Sequence, residues 1–324
     1  MKEKLAVGAF SRNNYDLFGE FFVPVCLDKF GDRWVKLTVD DFSDEKDVAQ
    51  GQALCTEKGI TFLENETRGL QFSIQKVNDW LEKHFPDCKW LVIFQTDCFL
   101  FQGCHEILGD QLLSGKYDQF GTVGFNIAAE DLGFNAGDAQ LDYTKGNNKM
   151  MVVGRSPLAK DPPAHWYRPS CVNMTEWDVS KPFAVEIPNW MAVGLNLEQY
   201  RKNSITPTDK YHMIHAWDDI CMQFLQLNVM NVCMPFICGG HIPQMKSSFG
   251  MIHHSPTALK MARAGNKDAE RIIGNADHST VWTDRWGWSY DKKDDYDKVK
   301  DRYAGTLMET FRNHDLTKGP LEVY

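Results

Sequence analysis

The chain has 324 residues, 43% of them apolar and 24% charged, with ten tryptophans; that is ample core for one large or two small globular domains and excludes a disordered or collagen-like chain. Thirty-five basic against 44 acidic side chains leave a formal charge of −9 with no lysine or arginine run, which argues against a broad grip on nucleic acid or an anionic membrane and leaves only a local basic groove open. Nine cysteines, odd in number and scattered, fit reduced, buried thiols better than a disulfide framework. The apolar stretch at the N-terminus is too short for a secretory core, and no later run approaches the roughly 18 apolar residues of a membrane span, so the chain reads as soluble and cytoplasmic.

Taken in chain order, Leu5 to Phe10 reads as a buried strand, and Tyr15 to Phe30 carries apolar residues at helical spacing, with Pro24 a kink or break. Trp34 to Val39 is a second strand that stops at Asp40-Asp41, and Ser43-Asp44-Glu45 starts a helix that Gly59 ends. Ile60 to Leu63 is a third strand. Leu70, Ile74, Val77, Trp80 and Leu81 mark one face of a helix that Pro86 terminates, and the continuously apolar Trp90 to Phe94 suits a central parallel strand covered on both faces. This order predicts a parallel sheet with right-handed crossovers and ligands at the carboxyl ends of its strands, where Asp40, Asp41 and Asp97 fall. Gly109 to Gly154 and Arg155 to Pro169 read as long excursions over the sheet edge. Regularity returns at Phe183 to Leu197, in a helix from about Asp218 to Leu227 and in a strand from Val229 to Cys238. Residues 1–255 are expected to form the main domain and 256–324 a mainly helical extension packed on it, interrupted by the aromatic segment Trp282 to Tyr290.

Asp97 is the polar terminus of an apolar strand. It either holds Mg²⁺ or Mn²⁺, which take oxygen ligands, or caps the following turn. The rings of His165-Trp166-Tyr167 and of Trp282 to Tyr290 are stacking platforms for a sugar or a base, or ordinary core. No Gly-x-Gly-x-x-Gly follows the first strand, and there is no P-loop and no Gly-x-Ser-x-Gly elbow, which argues against a dinucleotide oxidoreductase, an NTPase and a serine hydrolase.

Four segments, in order along roughly residues 4 to 255, resemble GT-A-fold glycosyltransferases of the family-two-like group. They are Val39-Asp40-Asp41-Phe42-Ser43-Asp44 after the opening strands, Asn65-Glu66-Thr67-Arg68-Gly69, Phe94-Gln95-Thr96-Asp97, and Pro188 to Leu197 together with His215-Ala216-Trp217-Asp218-Asp219. The resemblance implies an α/β, Rossmann-like fold with a mainly parallel central sheet flanked by helices, and transfer of a hexose or pentose from a nucleotide-diphosphate sugar to an acceptor hydroxyl. It places the donor against Phe10, Arg12, Asp40, Asp41, Arg68, Gln95 and Thr96, and the sugars against Trp190, Gly194 and Trp217. It implies Mn²⁺ or Mg²⁺ on Asp97 with His241 or His253, and a general base at Asp218 or Asp219 for an inverting transfer. Gln95 stands where the family's metal motif has its first aspartate, so a non-catalytic nucleotide-sugar-binding protein is the competing reading. A nucleotidyltransferase would need a glycine-rich loop where Phe10-Ser11-Arg12-Asn13-Asn14 stands. A zinc site on Cys233, Cys238, His241 and His253 lacks the close ligand pairs of compact fingers. The acceptor is open between a glycan, a protein, a small molecule and a hydroxymethylated DNA base.

Overall fold

A computed structural model describes residues 5–96, 98–128, 150–152, 154–158, 171–173, 181–188, 190–208, 210–211, 215–241, 278–290, 292–315 and 319–323. The first four strands, β1 (Leu5–Ser11), β2 (Trp34–Asp40), β3 (Thr61–Glu64) and β4 (Trp90–Phe94), pair in parallel in the order β3-β2-β1-β4. Between them run the helices α3 (Glu45–Lys58) and α4 (Leu70–His84). Beyond β4 the sheet continues through β12 (Ala192–Asn196), β6 (Thr122–Ala128), β13 (Asn231–His241), β10 (Phe183–Val185) and β14 (Leu321–Glu322). Along this path only β12 and β10 run against the rest. The short strands β5 (Cys98–Leu100), β7 (Met150–Val152) and β9 (Cys171–Asn173) attach to its margin, while β8 (Gly154–Arg155) and β11 (Ile187–Pro188) pair with each other. This is the α/β class with a mainly parallel central sheet that the sequence predicts.

Alternation along the strands builds two cores, because successive side chains point to opposite faces. Leu5, Val7, Ala9, Trp90, Val92 and Phe94 pack on one face with Phe18, Phe22 and Phe125. Ala6, Leu91 and Ile93 pack on the other with Ile74, Val77 and Leu81 of α4 and with α7 (Ala216–Gln226). Each fully buried Leu, Ile or Val contributes about 1.5–3 kcal/mol, so the apolar stripe of α4 outweighs the absence of a side-chain N-cap bond. Trp282, Trp288, Tyr296 and Tyr303 from the C-terminal region fill the second core.

Tyr15 to Phe30 is not one helix. It is α1 (Tyr15–Leu17), a π turn over Phe18–Phe22, α2 (Val23–Val25) and a 3₁₀ turn over Leu27–Lys29. Pro24 supplies no N–H to the regular ladder, and the widened turn ends just before it. Two further elements replace part of the expected excursion: α5 (Cys104–Leu113) and β6, a central strand. Half of the aromatic segment is also helical, in α8 (His278–Trp286), which α9 (Leu307–Asn313) follows. Eight cysteines, 26, 55, 88, 98, 104, 221, 233 and 238, are free and buried. Among the described residues no helix is long and apolar enough to cross a membrane.

Candidate functional site

The chain leaves β1 toward β2 on one side and returns from β3 to β4 on the other, so the carboxyl ends of β1 and β4 flank the topological switch point of the sheet. The loops at these ends are laced together. Asn13 N donates to Ser43 Oγ (2.9 Å), Asp44 N to Asn13 Oδ1 (2.8 Å), and Asn14 Nδ2 to Thr96 Oγ1 (3.0 Å). Phe10, Arg12, Gln95 and Thr96 therefore share one end of the sheet. Asp40 and Asp41 diverge despite adjacency. Asp40 is fully buried and accepts from Tyr15 Oη (2.8 Å) and Ser43 N (2.9 Å), which fixes the turn. Asp41 Oδ1 accepts from Gly69 N (2.8 Å), Ser73 Oγ (3.2 Å) and Asn65 Nδ2 (3.3 Å), which draws the start of α4 to the end of β2. Gly69, at φ 139°, has a backbone that side chains rarely adopt.

The basic groups follow the same convergence. Arg12 Nε donates to the Phe42 carbonyl (3.3 Å). Burial pulls Arg68 down to about 10; the nearby Arg12 charge lowers it further, and Asp41 works the other way. Burial pushes the Asp41 carboxyl up, against hydrogen bonds from Gly69 and Asn65 and the charges of both arginines. Arg12, Arg68 and Asp41 thus form one electrostatic cluster at the carboxyl ends of β1 and β2, beside the buried Asp40.

A ladder of rings leads from there to α7. Phe10 stacks on Trp190 (6.0 Å, 14° between planes), and Trp190 meets Trp217 at 5.0 Å, whose indole donates to the Pro188 carbonyl (3.1 Å). Gln95 N donates to Met191 O, so the end of β4 is pinned beside Trp190. Gly194 lies further along β12, among Phe125 and Trp90, where a Cβ would stand 3.1 Å from the Phe125 ring. Its position is core packing, away from this end of the strand.

Asp218 and Asp219 both sit in the first turn of α7 and are fully buried. Asp218 Oδ2 is 3.0 Å from Nδ1 of His215, whose backbone is left-handed (φ 61°) and whose ring lies 4.1 Å from Tyr290 and 5.4 Å from Trp282. Asp219 is a structural junction. Its Oδ1 takes Arg285 Nε (2.5 Å) and Trp286 Nε1 (3.0 Å) from α8, and its Oδ2 takes Gln223 Nε2 (2.9 Å) and Gln71 Nε2 (3.0 Å). Four donors fill the usual acceptor capacity of a carboxylate. Burial still pushes the acid up to about 6, with Arg285 and the hydrogen bonds pulling down.

Among the expected metal ligands, Asp97 and His253 lie outside the described residues, as do His165-Trp166-Tyr167 and most of the excursions, and only the backbone of His241 is described. That backbone pairs with Cys98, the residue after Asp97. Among the described residues no group of three or more His, Cys, Asp or Glu side chains could hold a metal ion. Tyr15, Gln71, His215 and Arg285 take supporting places that the sequence reading assigns to no role, and Trp286, read there as platform or core, is buried and donates to Asp219. Their partners lie up to 148 residues away, as for Gln71 and Asp219, and carry no local periodicity; only the aromatic density around Arg285 offers a signal.

The chain is similar in fold to a solved glycosyltransferase. This is the mannosyltransferase PcManGT from Pyrobaculum calidifontis, solved in complex with GDP-Man and Mn²⁺: 11% identity, 93% of this chain and 76% of that one covered, TM-score 0.49. Residues 1–349 of TarS from S. aureus are similar at 11% identity over 86% of this chain and 72% of that one, with a TM-score of 0.41. No family model and no curated protein matches the sequence.

Proposed function

We propose that the chain is a glycosyltransferase that takes a nucleotide-diphosphate sugar at the carboxyl ends of β1, β2 and β4. The observation that carries this reading is convergence. The segments 10–14, 40–44, 68–71 and 95–96, which carry the sequence resemblance or flank it, meet at one end of the sheet, and the Phe10, Trp190 and Trp217 ladder joins that end to the acidic start of α7. Arg12 and Arg68 supply positive charge for the donor, and Asp41 tethers the loop that carries Arg68. The ladder lines the path from donor to acceptor. Asp218 is the general base: the N-terminal end of an 11-residue helix favours its ionised form, and His215 fixes its orientation. It takes the acceptor hydroxyl proton while that oxygen bonds to the anomeric carbon and the bond to the diphosphate breaks, with inversion. Asp219 is held too completely for that part.

A carboxylate at 97 and an imidazole at 241 suit Mn²⁺ or Mg²⁺, and what supports the pair is that the backbone of 241 pairs with 98, the next residue after Asp97 in the chain. When bound, such an ion offsets the charge that develops on the departing diphosphate. The variant Asp97→Ala is expected to melt with the wild type and to lose release of nucleoside diphosphate from the donor sugar. Full release by that variant would overturn the assignment, and donor binding without any turnover in the wild type would favour the non-catalytic reading.

A further inference from the structure

Phe42 is placed where neither backbone nor core gains from it. Its φ is +67°, in the left-handed region that a bulky aromatic residue rarely adopts and a glycine adopts freely. The residue is 55% exposed, the one aromatic among the large apolar residues that stand out in solvent in the described residues. The strained backbone is held from both sides. Asp41 N donates to Ser11 O (2.9 Å), Arg12 Nε donates to the Phe42 carbonyl, and Ser43 is fixed by Asp40 through its N–H and by Asn13 through its hydroxyl. Strain that surrounding bonds over-determine marks a position shaped for a task. Here the result is a flat apolar face directly after Asp40 and Asp41, with two guanidinium groups close by.

The chemistry that fits is a planar heteroaromatic ring with polar edges, attached to an anion. The ring stacks on the phenyl face and is screened from water there, while the charged remainder faces Arg12 and Arg68. We propose that Phe42 is the stacking platform for the base of the nucleotide donor. This rests on the donor-site reading above. Aromatic stacking alone tolerates any base, so discrimination among bases falls to the polar groups at the ring's edge, and Phe42 supplies the common part of the affinity.

The test is calorimetric titration of the wild type, Phe42→Gly, Phe42→Ala and Phe42→Trp with UDP, GDP, dTDP and CDP in the presence of Mn²⁺, beside the melting temperature of each protein alone. The nucleotide that the wild type binds is expected to bind about tenfold more weakly to the Gly and Ala variants and with restored affinity to the Trp variant. Phe42→Gly is expected to melt at or above the wild type, since glycine removes the strain, so weaker binding is not unfolding. Unchanged affinity in the Gly and Ala variants overturns the platform and leaves the donor site standing, the exposed ring then serving contact with another protein. Failure of the wild type to bind any of the four overturns the donor-site reading and the platform with it.

Discussion

Asp218 and Asp219 are neighbours in sequence and opposites in surroundings. One faces a histidine caged by Tyr290 and Trp282; the other is locked among four donors from three helices. The locked one makes a pH signature. Its folded pKa, about 6, lies above the unfolded value of 3.8. The native state therefore binds more protons between these values, so this group's contribution to stability falls as pH rises through that window and is constant above it. Replacing Asp219 with Asn puts two N–H donors, in place of the single O–H of the protonated acid, among the four donors and is expected to cost about 1–3 kcal/mol at pH 4. Between pH 3.5 and 6.5 the gap between wild type and variant should narrow, by on the order of 3 kcal/mol. Urea unfolding of both proteins across that range measures it, and a gap that widens would contradict the assignment. The pair of acids was legible in the sequence as a helix start, but which acid is spent on structure depends on Arg285 and Gln71, more than 60 residues away on either side.

The regular elements reached from sequence are those whose periodicity is uninterrupted. β1 to β4 and α4 needed only their own apolar pattern. β6 was obscured because Gly124 sits at its centre, where a Cβ would stand 2.7 Å from Cys233 Sγ; glycine there is demanded by a strand the local sequence does not contain. α5 was obscured in the same way by Gly109, whose missing Cβ leaves room for the Arg33 guanidinium that donates to Asp110 (2.7 Å). Gly8 in β1 shows how hard such a constraint can be. A Cβ there would lie 2.3 Å from the Leu37 carbonyl oxygen, a backbone atom of the paired strand that cannot swing aside. Gly8→Ala is expected to cost about 3 kcal/mol or more, at the upper end of core overpacking, and chemical denaturation of the purified variant would show it. A change below about 0.5 kcal/mol would mean that the β1–β2 pairing is looser than described.

At the scale of the molecule, residues of the C-terminal region hold the acidic start of α7 in place. Arg285 and Trp286 hold Asp219, Tyr290 and Trp282 cage the partner of Asp218, and β14 pairs with β10. Arg312, nearly buried, binds Asp297 through two nitrogens (3.1 and 2.6 Å) and the Leu158 carbonyl (3.0 Å), tying α9 to the segment near β8. Composition predicts a helical extension there but not these long-range ties, because they are single polar contacts rather than patterns. The central claim is that the carboxyl ends of β1, β2 and β4 take a nucleotide-sugar donor. Thermal denaturation with UDP-, GDP- and dTDP-linked sugars, each with and without Mn²⁺, tests it most directly. At about a hundred times its dissociation constant the right donor adds roughly 2.7 kcal/mol of stability. A rise in melting temperature with one nucleotide class, larger with Mn²⁺ and lost in an Arg68→Ala variant, is the expected result; no shift with any of them would contradict the account.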